Sequence, residues 1–304
     1  MSEPSNITPN SWRAWLLAAR PKTLSGAAVP VMIGVALAWV DAAEYAGDAF
    51  HWLPAVLCLL FAFVMQIDAN LINDFFDFVG GADDADTRLG PRRACAQGWV
   101  TLGAMKRAIA LTTCIACLVG LPLVFYGGLE MILVGMICVV FCFLYTTHLS
   151  YMGMGDVLVL VFFGVVPVTM TYYVQMHTCT WQVLTASVAC GLVIDGLLIV
   201  NNFRDRDNDS AVGKRTLVVK IGPEASLATY LAVGVAATLL GVFFWLNGHV
   251  LAFFLPLIYL ALHYFTYLKM KRIYKGKALN LCLGETARNI FVYGLTVSIG
   301  LLLL

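Results

Sequence analysis

All 19 Lys and Arg residues of this chain fall on one side of a series of apolar runs, and that asymmetry leaves few ways to fold it. Nine runs are long enough to cross a hydrocarbon core of ~30 Å as helices. They lie near 23–40, 53–73, 104–126, 129–147, 155–175, 182–203, 226–246, 249–268 and 287–304. Segments 1–22, 74–103, 148–154, 204–225 and 269–286 then share one side. They hold the cations, with Lys106, Arg107 and Arg288 in the first turns of adjoining runs. The opposite segments, 41–52, 127–128, 176–181 and 247–248, carry no Lys or Arg, only Asp41, Glu44 and Asp48. A count short by one helix would scatter the cations over both sides. Short basic loops stay inside, so the basic side is expected to be cytoplasmic. Charged residues make up 12% of the chain, against about 25% in soluble proteins. The expected fold is therefore an all-α, multi-pass bundle of nine transmembrane helices in one domain, 1–304, embedded in a lipid bilayer. The N-terminus reads as a short polar tail and an interfacial WRAWLLAARPKT rather than a signal peptide.

Two stretches interrupt this apolar pattern. On an ideal helix Gln66, Asn70, Asn73, Asp74 and Asp77 fall within roughly a 100° arc, because i, i+3, i+4 and i+7 share a face. Asp195, Asn202, Asp205 and Asp209 share a face in the same way, whereas Asp207 points oppositely. Both groups sit at cytoplasmic ends of helices, four helices apart and in the same sense. Two four-helix halves plus a ninth helix form the simplest architecture. Polar side chains grouped on one face of a membrane helix are costly and default to function.

Carboxylates with amide oxygens are hard ligands suited to Mg²⁺, which is commonly shared with substrate phosphates. Lys22, Arg88, Arg92, Arg93, Arg204, Arg206, Lys214 and Arg215 crowd the same loops, where Lys and Arg meet phosphate oxygens directly. A metal–diphosphate site opening into an apolar bundle points to a lipid diphosphate, with its chain among the helices. Tyr145, Tyr151, Asp156, Tyr172, Tyr173 and Gln175 are polar positions that could line such a cavity. Bland readings cover other features. The 269–277 basic run is a solvated face, and Cys114, Cys117, Cys138 and Cys142 are small packing residues. The run Asp205, Asp207, Asp209 is no EF-hand, because Ser210 and Thr216 stand where Gly and Glu are required. No nucleic-acid partner is expected.

NDFFD at Asn73–Asp77 and DRDNDSAVG at Asp205–Gly213 resemble the two aspartate-rich motifs of the UbiA intramembrane prenyltransferases. Stretches 20–39, 70–93, 151–168, 171–175 and 201–222 resemble in particular the branch that prenylates 1,4-dihydroxy-2-naphthoate in menaquinone biosynthesis. The resemblance implies nine helices around a central cavity, two Mg²⁺ ions, a polyprenyl diphosphate and an aromatic acceptor. It implies catalytic roles for Asp74, Asp77, Asp205 and Asp209. Asn73, Asp77, Asp83, Asp205 and Asp209 would hold metal; the family pattern expects an acid where this chain has Gly81, so Asp83, Asp84 or Asp86 must substitute, with Asp83 favoured. Lys22, Arg88, Arg93 and Lys214 would bind diphosphate, and Asn70, Tyr145, Asp156 and Asn202 would line the acceptor cavity. The implied reaction is Mg-dependent polyprenyl transfer to the naphthoate, giving demethylmenaquinone, CO₂ and diphosphate at a bacterial inner membrane. The alternatives are another acceptor (4-hydroxybenzoate, homogentisate or a tetrapyrrole) or, from a different class, a transporter. A transporter expects midplane acids and broken helices in both halves, whereas the acids here sit at helix ends among cations.

Overall fold

The computed structural model describes residues 7–43, 50–81 and 88–303. Nine helical segments follow one another: α1 (Trp12–Asp41), α2 (Trp52–Val79), α3 (Leu102–Gly127), α4 (Glu130–Leu149), α5 (Gly155–Met176), α6 (Trp181–Ala211), α7 (Leu217–Leu246), α8 (Val250–Ile273) and α9 (Leu279–Leu302). Among the described residues the first eight are long and apolar enough to cross a membrane. The ninth falls short of that apolarity because Glu285, Arg288 and Asn289 occupy its early turns. It starts eight residues earlier than the apolar run suggests, since those polar side chains find partners inside the bundle. Lys269 of α8 forms a short contact with Glu285, and Asn289 donates to the Thr266 hydroxyl at 3.0 Å.

Breaks in the helices fall where the sequence demands them. The right-handed helical region is disfavoured for the residue before a proline, and Arg20, before Pro21, takes φ 50°, ψ 65°. This splits α1 into an eight-residue segment, Trp12–Ala19, and the long span Leu24–Asp41. Gly128 (φ 80°) separates α3 from α4, and Gly222 (φ 81°) kinks α7 before Pro223. The helices that carry the two motifs do not stop at the membrane boundary. α2 continues to Val79 and α6 to Ala211, so the acidic residues project from regular helix.

The long span of α1 packs on α2, α5, α6 and α9, which brings the end of the chain back to its beginning. Its Val29, Ile33 and Leu37 share a core with Val168 and Tyr172 of α5, Cys190 and Val193 of α6, and Ile290, Tyr293 and Val297 of α9. Where hydrocarbon surrounds the bundle, small residues let helices approach closely. A methyl group built on Gly164 of α5 would lie 2.5 Å from the Gly191 Cα of α6, so neither position has room for a side chain. Asp68 sits in the membrane-spanning part of α2, fully buried, and accepts hydrogen bonds from the hydroxyls of Thr112 (2.5 Å) and Thr113 (2.7 Å) of α3. It is an intramembrane acid with a structural task, satisfied by two donors as burial requires.

At the end remote from the basic loops, the Tyr172 hydroxyl donates to Asp41 at 2.5 Å. Nearby, His51 and Gln175 exchange two hydrogen bonds: the His51 amide donates at 3.2 Å, and the Gln175 amide returns one to the His51 carbonyl at 2.7 Å. Trp39, Phe50 and Trp52 gather at this end, with ring centroids 5.1 to 5.3 Å apart.

Candidate active site

A cavity of about 1610 Å³ runs into the bundle from the basic end. Its deep wall is apolar, with Phe61, Met65, Met131, Phe162, Met170 and Val174 among its lining. Its rim is polar and carries Arg20, Lys22, Asn73, Arg88, Arg92, Arg93, Asn201, Asn280 and Arg288. A second, far smaller pocket of about 20 Å³ adjoins it. Tyr145 lines both, and Ser150, Asp156, Asn202, Lys214 and Thr216 complete the polar part of the small one.

The candidate acids meet cations next to the rim, outside the residues that line the cavity itself. Asp77 Oδ2 lies 3.6 Å from Arg93 Nη2, and Asp209 Oδ1 lies 3.7 Å from Lys214 Nζ. Arg204 forks onto Asp205 with Nε at 2.8 Å and Nη2 at 2.5 Å. Asp209 Oδ2 is buried without a hydrogen-bond partner. The two motifs face one another across Tyr151, between α4 and α5. Burial first, and then the charges of Asp77 and Asp209, push its phenol above its ordinary value. Arg88 spans the same gap from the other side. Burial lowers its guanidinium to about 10, and the neighbouring Asp205 opposes that shift.

The remaining positions divide by the neighbours they find. Asn73 faces the cavity and accepts a short hydrogen bond from the Thr146 hydroxyl. Asp74 is fully buried and turned to the loop, its oxygens accepting from the amides of Ala94 (2.8 Å) and Cys95 (3.0 Å). Asn70 is drawn to the break in α1, donating to the Ala19 carbonyl at 3.0 Å and the Thr23 hydroxyl at 2.9 Å. Asp156 and Asp195 each leave Oδ1 buried without a hydrogen bond. Asp207 is more than half exposed and paired with Lys275 at 2.7 Å, as its helical phase predicts. Asp83 lies outside the described residues. Among the described residues no three His, Cys, Asp or Glu side chains converge as ready-made metal ligands. Each rim acid is turned toward a cation instead.

Two contributors escape a reading based on motif phase. Arg20 lines the cavity with Nη2 buried and without a hydrogen-bond partner. Only its place before a helix-breaking Pro21 hints that it would be turned inward. Asn280, in an otherwise unremarked stretch, enters the rim from the start of α9; no periodicity or charge pattern marks it.

Comparison with known proteins agrees with this arrangement. The UbiA prenyltransferase family matches residues 27–283. The 1,4-dihydroxy-2-naphthoate octaprenyltransferase of Escherichia coli (strain K12) is 39% identical over 222 residues, 69% of each chain. The enzyme of that name from Mycobacterium tuberculosis is 34% identical over 224 residues, 72% of this chain and 74% of that one. Among solved structures, a UbiA homolog from Archaeoglobus fulgidus bound to GPP and Mg²⁺ has the same fold. Its TM-score is 0.66 at 16% identity, over 94% of this chain and 99% of that one. A rim of paired acids and cations over an apolar intramembrane cavity, and a family match over most of the length, lead to one conclusion: the chain belongs to the UbiA prenyltransferase family and is a membrane-embedded prenyltransferase.

Proposed function

We propose that this enzyme transfers a polyprenyl group from its diphosphate to 1,4-dihydroxy-2-naphthoate, releasing diphosphate and CO₂ and yielding demethylmenaquinol, the hydroquinone that becomes demethylmenaquinone on two-electron oxidation elsewhere. The observation that carries the reading is the joining of two environments in one cavity: an ionic rim above an apolar interior. The naphthoate acceptor is supported by the names of the relatives, and Mg²⁺ by the GPP complex of the A. fulgidus homolog.

The donor set suits Mg²⁺. The buried Asp209 Oδ2 lacks a partner, and Asn73, Asp77 and Asp205 supply further hard oxygens nearby in the two motifs. These four would hold the metal, with two ions and Asp83 as a fifth ligand as the fuller form of the reading. Bound Mg²⁺ would supply Lewis-acid stabilisation of charge on the diphosphate.

The chain's own residues do the rest. Arg20, Lys22, Arg88 and Arg93 meet the diphosphate oxygens, where charge-assisted hydrogen bonds are strong. Charge grows on those oxygens as the allylic C–O bond breaks, and cations fixed beforehand stabilise it most in the transition state. Lys214 and Arg93 pair with Asp209 and Asp77 and are placed to turn to phosphate. The ring carbon bearing the carboxyl group forms the new C–C bond, and that carboxyl group leaves as CO₂. Tyr145, Asp156 and Asn202 border the chamber beside the rim where the acceptor's polar edge would rest. The apolar wall excludes water from the allylic cation. The cavity mouth faces the cytoplasm of a bacterial inner membrane, because the basic loops surround it.

Mass spectrometry of products from membranes offered one polyprenyl diphosphate and several aromatic acceptors tests the reading. Demethylmenaquinone formed in preference to the other adducts is the expected result. Exclusive use of 4-hydroxybenzoate or homogentisate would overturn the acceptor assignment.

A further inference from the structure

The strongest polar hub of the molecule is not an aspartate. Arg204 is only 2% exposed, and all three of its guanidinium nitrogens are engaged. Nε and Nη2 hold Asp205, Nη2 also reaches Asn201 Oδ1 at 2.7 Å, and Nη1 reaches Asn280 Oδ1 at 2.8 Å. Asn280 uses its other end as well, its Nδ2 donating to the Leu89 carbonyl at 2.8 Å. Leu89 sits beside Arg88 in the basic loop that follows α2. One side-chain amide therefore joins three separate parts of the chain: the start of α9, the second acidic motif and the loop of the first.

We infer that Asn280 is a positioning residue, which through Arg204 and Leu89 fixes Asp205 and the 88–93 loop as a single diphosphate-binding rim. This rests on the prenyl diphosphate reading of the site. The amide fits the task because its oxygen accepts only and its NH₂ group donates only. Arg204 needs an acceptor and the Leu89 carbonyl needs a donor, so Asp would satisfy only the first and Leu neither. Gly90 gives independent support. A methyl group built there would lie 2.6 Å from Arg204 Nη2. The guanidinium cannot step aside without breaking contacts to Asp205, Asn201 or Asn280, so the chain passes over Arg204 at Gly90, a residue without a side chain.

The test uses the full-length enzyme reconstituted in lipid, with Asn280→Ala, Asn280→Asp and Gly90→Ala. Gly90→Ala leaves every hydrogen-bonding group in place and so reports on geometry alone. Both Asn280→Ala and Gly90→Ala should raise the KM for prenyl diphosphate on the order of tenfold, with the acceptor KM unchanged. Asn280→Asp keeps the acceptor for Arg204 and loses the tie to Leu89, so it should show an intermediate rise. A second measurement does not depend on turnover: trypsin cleavage after Arg88, Arg92 or Arg93, read by mass spectrometry with and without prenyl diphosphate and Mg²⁺. The wild type should be protected by the ligand, and the variants should be cut faster and protected less. If ligand does not protect the wild type, the diphosphate site itself is misplaced. If it protects the wild type and both Asn280→Ala and Gly90→Ala equally, with equal KM values, the positioning role of Asn280 is refuted.

Discussion

Asn73 and Asp74 are neighbours in sequence and lie within one arc of α2, yet they meet different surroundings. Asn73 looks into the cavity and receives the Thr146 hydroxyl, whereas Asp74 is fully buried against the loop and receives the amides of Ala94 and Cys95. One residue thus belongs to the substrate chamber, and the next folds the loop that roofs it.

Replacing Asp74 should therefore act on stability and loop order before chemistry. Asp74→Ala leaves two buried amides without an acceptor, at a cost of about 1–3 kcal/mol each. Asp74→Asn keeps one acceptor oxygen and should cost about half as much. Thermal unfolding in detergent is the measurement. An unchanged melting temperature in Asp74→Ala, accompanied by total loss of activity, would return Asp74 to a direct role.

Asp77→Ala and Asp205→Ala should each lower turnover by at least about 10²-fold at saturating Mg²⁺, while the protein stays monodisperse with a near-normal melting temperature. Both carboxylates lie next to the rim with side chains 20% exposed, outside the packed core. Activity retained by either purified variant would remove that motif from the site.

Asp207→Asn should be close to silent in activity and within about 0.5 kcal/mol in stability, because its partner Lys275 is exposed and such pairs contribute little. Asp209→Asn in parallel provides the contrast. Equal damage from the two would mean that helical phase does not separate them.

Sidedness can be read with thiols. In a cysteine-free variant, restoring only Cys179, an exposed residue between α5 and α6, should allow labelling by an impermeant reagent outside intact cells. Ser210→Cys, exposed at the end of α6, should react only once the membrane is opened. Labelling of Ser210→Cys in sealed cells would reverse the topology and the route by which both substrates arrive.

Much of this molecule is legible in its sequence, for identifiable reasons. Membrane helices announce themselves because no backbone polar group can go unsatisfied in lipid, and the cations sort the connecting segments. Helical phase separates Asp207 from Asp205 and Asp209, since α6 stays regular to Ala211. It cannot separate Asn73 from Asp74, which lie within one arc; their roles depend on what packs there, and the 94–95 turn comes from outside the helix. Asn280 was invisible for the same reason. Its importance lies in meeting Leu89, 191 residues away in the chain. The start of α9 was also misjudged by apolarity, because Glu285 and Asn289 are satisfied by other helices rather than by water.

The bonds from Tyr172 to Asp41 and between His51 and Gln175 have a consequence beyond holding helices together. An intramembrane cavity lined at its entrance by cations would, if it continued through the far leaflet, be a conductive pore. These clasps lie at the end of the bundle remote from the charged rim. If they close that end, the bundle can be hollow without joining the two aqueous phases. Asp41→Ala, in proteoliposomes loaded with a pH-sensitive dye, should raise proton leak above that of the wild type, and an unchanged leak would place the electrical seal elsewhere.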